Sequence, residues 1–269
     1  MSLPDVVSRE QWLAARKDLL AKEKELTRAR DAWVAARKSL LDKEKQLTRQ
    51  RDALNAERRR LPMVAVDMPY VFEGPEGATT LLDLFEGRRQ LILIHFMFDP
   101  EWEDGCVSCT AGADEMAPGL LAHLHARETS LAYVGRAPLA KIERYKAKRG
   151  WTFPFYSSFG SDFNYDFHVT LDESVAPVEY NYRTPEEHRQ AGTSYYVEGD
   201  QPLELPGQSH FLRDGDRVFH TYSAFGRGAE MTGGSYYFLD LTTLGRQEEW
   251  EEPKGRVAAA HGATPDFAV

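Results

Sequence analysis

Leu91-Ile-Leu-Ile-His-Phe-Met-Phe98, the acidic stretch Asp99 to Gly105, and Cys106-Val-Ser-Cys109 follow one another without a break. The first eight residues, mainly apolar and closed by turn residues, predict a strand at a central position of a sheet. Thr110-Ala-Gly-Ala-Asp-Glu-Met-Ala117 then opens a helix. The two cysteines, which are all the chain has, are therefore expected where a strand hands over to a helix N-terminus. Free backbone N–H groups and the positive end of the helix dipole stabilise a thiolate at such a place.

Outward from this point, strands and helices alternate. Met63 to Val66 and Tyr70 to Phe72 read as short strands, with a turn at Gly74-Pro-Glu-Gly77 and a short helix over 80–85. After the cysteine loop the pattern predicts a helix to about Arg127, a strand over 130–135, a helix over 139–149 and a strand over 153–157. This alternation implies parallel βαβ units. Residues 170–208, with Pro177, Pro185, Pro202 and Pro206, read as an insertion. Residues 209–222 form a hairpin around Asp214-Gly-Asp. Ser235 to Leu241 is read as a last strand or helical piece, and 247–269 as a disordered tail. The domain boundaries are thus 1–61, a helical arm, and 62–246, the α/β body.

The arm carries a tandem repeat. Residues 12–32 and 33–53 agree at 16 of 21 positions. A 21-residue unit is three heptads, so both copies present the same helical face. Trp12, Leu19, Leu26, Trp33, Leu40, Leu47 and Leu54 fall seven apart on one stripe. Ser8 with Gln11 forms a capping box at the start, and Pro62 stops the helix. A homo-oligomer through this arm is expected, although folding back across its own body is the competing arrangement.

With 269 residues, 42% of them apolar, the chain has ample material for one core plus an appendage. The formal charge is −9, unevenly spread: residues 8–60 hold 16 Lys/Arg against 9 Asp/Glu, a net +7, which leaves −16 on everything else. The basic charges are interleaved with acidic ones, as on a solvated helix, and the continuous basic blocks of a nucleic-acid binder are missing. No apolar run approaches the ~20 residues needed to span a membrane. The start Met1-Ser-Leu-Pro-Asp-Val-Val has neither the basic region nor the apolar core of a secretory leader, so a cytoplasmic location is expected. Two cysteines three apart in such a setting suggest redox or metal chemistry more than a structural disulfide.

The βαβ unit with Cys-x-x-Cys, the second βα pair and the closing hairpin resemble the thioredoxin fold. Phe153-Pro-Phe-Tyr-Ser-Ser-Phe-Gly-Ser-Asp-Phe-Asn-Tyr-Asp-Phe167 resembles a stretch of its peroxiredoxin-type branch. The chain as a whole resembles a bacterial family of thioredoxin-like proteins of unassigned function. The likeness spans roughly residues 6–246. It rests on Tyr70-Val-Phe-Glu-Gly-Pro, His95-Phe-Met-Phe, Gly105-Cys-Val-Ser-Cys, Arg136-Ala-Pro-Leu, Gly160-Ser-Asp-Phe-Asn-Tyr-Asp-Phe and Phe219-His-Thr-Tyr-Ser, besides the arm motifs. The duplicated arm departs from the family, which usually has one copy. The resemblance implies an α/β thioredoxin-like fold with a long N-terminal helical arm, and no established reaction. Glu103 stands where peroxiredoxins place Thr or Ser, which argues against their mechanism. Gln208-Ser209-His210 stands where thioredoxins place a cis-proline.

The chemistry expected is thiol–disulfide oxidoreduction on a protein or small-molecule disulfide or thiol, without an organic cofactor or metal. Cys106 is the attacking thiolate and Cys109 the resolving thiol. His95 is a candidate proton shuttle, against its reading as a satisfied buried histidine. Trp102, Phe163 and Tyr165 are the candidate substrate contacts, although the aromatic density around 159–167 also suits a core. Two inert buried thiols are one alternative. A zinc site with His95, His123 or His125 is another, but no histidine has a convincing spacing. A non-catalytic binding module for a small apolar ligand or a protein partner is the reading from a different class. Glu101, Glu103 and Asp104 are expected to raise the thiol pKa by like-charge repulsion.

Overall fold

In the computed structural model, which describes residues 4–117, 119–232, 249, 254 and 255, the chain divides into two compact units, 1–61 and 62–269. The first is one helix, α1 (Arg9–Arg58). No Gly or Pro interrupts it, and the Ser8–Gln11 capping box closes its start, with Gln11 N donating to Ser8 Oγ at 3.2 Å and Ser8 N to Gln11 Oε1 at 3.1 Å. At 1.5 Å per residue it is about 75 Å long. The repeat is copied into its surface bonds. Arg16 pairs with Glu23 at 3.2 Å and, 21 residues on, Arg37 pairs with Glu44 at 3.1 Å. Both pairs are exposed and contribute little. No residue of α1 is buried.

The second unit is an α/β sheet fold. In chain order its elements are β1 (Val64–Ala65), β2 (Val71–Gly74), β3 (Gly77–Thr80), β4 (Gln90–His95), α2 (Val107–Asp114), α3 (Leu120–His125), β5 (Thr129–Gly135), α4 (Leu139–Arg149), β6 (Phe155–Ser157), α5 (Phe163–Asp166), β7 (Thr170–Leu171), α6 (Pro185–Gln190), β8 (Leu203–Glu204), β9 (Gly207–Asp214) and β10 (Arg217–Phe225). One eight-stranded sheet has the order β1-β10-β9-β4-β5-β6-β2-β3, and β7 pairs with β8 apart from it. β4, β5 and β6 run parallel, while β9 joins β4 antiparallel and turns back as β10. A parallel βαβ core closed by an antiparallel hairpin is the thioredoxin-like arrangement.

Period-two alternation along the central strands separates two cores. Leu91, Leu93 and, on β5, Ala132 and Val134 face one layer with Phe72, Phe163 and Phe211. Ile92, Ile94, Leu131 and Tyr133 face the other, which α2 and α4 cover with Ala113, Ile142 and Tyr145. The segment between α5 and β9 builds its own small core around Tyr180, which is fully buried. Among the described residues no helix is long and apolar enough to cross a membrane.

The elements differ from expectation in four places. β4 leaves the ladder after His95: Phe96 N still reaches Val134 O at 2.8 Å, but the Phe96 and Phe98 rings turn into the second core. The helix expected to reach Arg127 is two helices, α2 and α3. Pro118 lies between them, and a proline lacks the N–H a continuous helix needs. Residues 77–80, read as the edge of a turn, pair with β2 as a strand, and a 3-10 turn at Asp83–Phe85 replaces the short helix. The segment 170–208 contains β7, α6 and β8, with α6 started by a Thr184–Glu187 capping box. The expected element at 235–241 and the tail from 247, save residues 249, 254 and 255, lie outside the described residues.

Candidate active site

Cys106 is the N-cap of α2, with φ −51° and ψ 131°. Its N–H donates to Met97 O at 3.0 Å, and its carbonyl accepts from Thr110 N at 2.9 Å and Thr110 Oγ1 at 2.8 Å. The sulfur thus stands where the first turn leaves donors unused. Both cysteines are free thiols and half-buried. The Cys106 pKa is pulled down to about 6. The largest cause is the Cys109 thiol, which donates a hydrogen bond to it; burial opposes this, and the backbone N–H groups of Cys109 and Ser108 lower it further. Cys109 is pushed well above its ordinary value by the same hydrogen bond, then by burial and by the charge on Cys106, while the Met97 backbone works against the rise. One sulfur is prepared as thiolate and the other is kept as thiol, one helical turn apart. The expected rise from the acidic loop does not occur. Glu101, Glu103 and Asp104 are not among the influences on Cys106. All three are exposed to solvent that screens them, and Asp104 is paired with Lys148 at 2.6 Å.

The cysteine loop is held by one face of α4. Lys141 Nζ donates to Pro100 O at 2.5 Å and Trp102 O at 3.0 Å. The Tyr145 hydroxyl meets Thr110 Oγ1 at 2.8 Å. Lys148 takes Asp104, and Arg149 grips Asp114. Positions 141, 145 and 148/149 recur at helical spacing, so a single face reaches the loop and the first turns of α2. Gly105 permits this approach, because a Cβ there would run into the Phe96 ring and stand 3.2 Å from Tyr145 Cε1.

Below the loop lies a buried ion triad. The Arg136 guanidinium reaches Asp99, the first residue of the loop, and Glu204 of β8, the latter at 2.6 Å. Glu204 also accepts from Thr170 Oγ1 at 3.0 Å. Burial raises its pKa, and Arg136 offsets the rise. Asp99 further accepts from Glu101 N at 2.8 Å, closing the turn. Sequence reasoning marked Arg136 only as part of a motif and Asp99 only as the start of the acidic loop, and missed the roles of Glu204, Thr110, Lys141 and Tyr145. The i, i+4, i+7/8 row on α4 was the one local signal for the last two, but nothing in the chain says which loop it faces.

The predicted site residues are not all brought together. Trp102 sits in the loop, side chain exposed, with its N–H on Asp99 O at 3.1 Å. His95 belongs to the opposite sheet face from Cys109. Its Nε2 meets Ser209 Oγ at 2.8 Å, and its ring lies 5.6 Å from Phe163 and 6.1 Å from Phe167. Phe163 is fully buried between Tyr70 and Phe72 in the first core, so it is packing material and lines no open pocket. Tyr165 is half-buried and near Arg136, whose charge it influences. Among the described residues no group of three or more His, Cys, Asp or Glu side chains is placed to hold a metal ion.

With this geometry in hand, the sequence matches the family described as "Bacterial protein of unknown function (DUF899)" over residues 1–39 and 29–261. No curated protein matches the chain. Similar solved structures include a cysteine-to-serine mutant of peroxiredoxin Q from Xanthomonas campestris, at 14% identity over 64% of this chain and 91% of that one, TM-score 0.41. The peroxidoxin BcpB from Mycobacterium tuberculosis is also 14% identical, over 64% and 92%, TM-score 0.36. BsSco, a member of the Sco family of cytochrome c oxidase assembly proteins, is 13% identical over 61% and 87%, TM-score 0.31.

Proposed function

The chain belongs to the DUF899 family, and we propose that its reaction is thiol–disulfide exchange through Cys106 and Cys109. The observation that carries this reading is the opposite tuning of two sulfurs one turn apart at a helix start. The Cys106 thiolate attacks one sulfur of a disulfide R–S–S–R, forming a mixed disulfide and releasing RS⁻. Cys109 then gives up its proton and attacks Cys106 Sγ, which closes the protein disulfide and releases the second half as RSH. The substrate disulfide is reduced by two electrons and the dithiol is oxidised by two. The reverse direction uses the same steps. Neither needs an organic cofactor or a metal, and we assign the reaction to the cytoplasm, where a thiol pool would re-reduce the pair.

Alkylation of each cysteine against pH, resolved by mass spectrometry, tests the proposal. Cys106 should react with a midpoint near 6, the rate rising with pH as the thiolate forms. Cys109→Ala removes the donating thiol and should move that midpoint up toward ~8.5. A chain whose thiols both titrate near the free value and never form an intramolecular disulfide sinks the reading.

The arm supports a second statement. We infer that α1 pairs with a second copy of the chain, because its heptad stripe is left open, with Leu26 72% and Trp33 68% exposed.

A further inference from the structure

We propose that the partner of this dithiol is a disulfide set in a basic, partly apolar polypeptide segment, in preference to an anionic small thiol. The proposal rests on the exchange reading above and names its substrate class.

The mouth of the site is rigid in backbone and open in side chain. Lys141 pins the carbonyls of Pro100 and Trp102, Asp99 pins the N–H groups of Glu101 and Trp102, and Met97 pins Cys106. On this fixed frame the side chains of Glu101, Trp102, Glu103 and Val107 point outward, Trp102 at 38% and Val107 at 59% exposure. The main chain that carries this tryptophan and valine is already held, so a partner meets a surface whose backbone needs no further ordering.

Two exposed carboxylates, Glu101 and Glu103, flank Trp102 at that mouth. Most cations nearby are already engaged with carboxylates: Lys148 with Asp104, Arg149 with Asp114, and Arg136 with both Asp99 and Glu204. Lys141 is directed at two loop carbonyls. Glu101 and Glu103 form no ion pair among the described residues, and both are exposed to solvent. They stand on a chain that carries −16 outside residues 8–60. They are not among the causes of the Cys106 shift, and their field faces solvent. It acts on what docks over the loop. A cationic segment gains on approach and an anionic one is repelled, chiefly through the association rate.

The test uses symmetrical disulfides of one heptapeptide in three forms, with the cysteine flanked by Lys, by Ser or by Glu. Oxidation of the reduced full-length protein is followed by quenched mass spectrometry, and each rate is divided by the rate of the same peptide with 2-mercaptoethanol. At low salt the normalised Lys/Glu ratio should be roughly tenfold or more, and it should shrink toward unity at about 1 M salt, where the screening length is about 3 Å. The double variant Glu101→Lys, Glu103→Lys should bring the ratio to unity or invert it. Exchange that proceeds with equal normalised rates for all three peptides, or a Lys preference that survives the double variant, overturns this proposal and leaves the exchange reading standing. Absence of exchange even with the Ser-flanked peptide overturns the exchange reading and this proposal together.

Discussion

His95 is placed by its hydrogen bonds and not by the cysteines. Its Nε2 lies 2.8 Å from Ser209 Oγ, Ser209 lies 2.8 Å from Ser223 Oγ, and Ser223 lies 2.8 Å from His220 Nε2. The four side chains thus form one hydrogen-bonded row from His95 to His220. Burial lowers the His220 pKa, and a hydrogen bond with the Tyr222 backbone opposes that shift. His95 Nδ1 is the one buried side-chain polar atom without a partner among the described residues. Burial first, then the neighbouring His220 and His210, push the His95 pKa down to about 3. An unfolded histidine titrates near 6.5. Between pH 6.5 and 3 the unfolded chain therefore takes up a proton that the folded one refuses, and stability falls as pH falls. It should fall by about 1.4 kcal/mol for each unit below about 6. His95→Gln keeps a hydrogen-bonding partner for Ser209 and removes the titration. Urea midpoints at pH 7 and pH 4.5 should drop less in this variant than in the wild type, and two parallel drops would show that His95 is not the acid-sensitive group.

The element that decides the site is α4, whose face fixes the cysteine loop at Pro100, Trp102, Asp104, Thr110 and Asp114. Gly105 is the close approach in that arrangement. Gly105→Ala forces a methyl group into the Phe96 ring, and overpacking of this kind costs about 1–3 kcal/mol. Urea denaturation of the variant should show that loss, together with a Cys106 alkylation midpoint displaced upward as the helix start shifts. A variant with wild-type stability and midpoint would mean the loop does not rest on Phe96. Elements whose own periodicity names them were legible: residues 139–149 read as a helix from Ile142 and Tyr145, and Leu91 to Ile94 read as strand. The strand-to-helix placement of Cys106 followed from the apolar run ending before a polar loop. The α4 row was not assignable, since a helical face does not carry the identity of its partner. Glu204 was hidden for the same reason, being 68 residues from the arginine it meets. Phe163 and Tyr165, only two residues apart, parted company because α5 buries the first ring in the core and leaves the second half-buried, which sequence spacing alone did not resolve.

At the scale of the molecule, the two units are built on different rules. The body is specified by alternation and by buried rings. The arm is specified by a repeat of three heptads that nothing in its own unit covers, so its length and capping were readable from the sequence while its partner was not. The +7 of its residues 8–60 resists pairing with another copy, and the interleaved acidic residues blunt that repulsion. The apolar stripe is the attraction, and it grows with each repeat. Deleting residues 33–53 removes three heptads, shortening the helix by about 32 Å and keeping the heptad register of the stripe across the cut. Self-association should therefore weaken and not change in kind: light scattering of the full chain should give the mass of an oligomer, and the deleted chain should dissociate at higher concentration. The deletion touches neither cysteine nor α4, so alkylation of Cys106 should keep its midpoint. A monomeric mass for both chains across the concentration range rejects the pairing of the arm and leaves the dithiol chemistry where it stands.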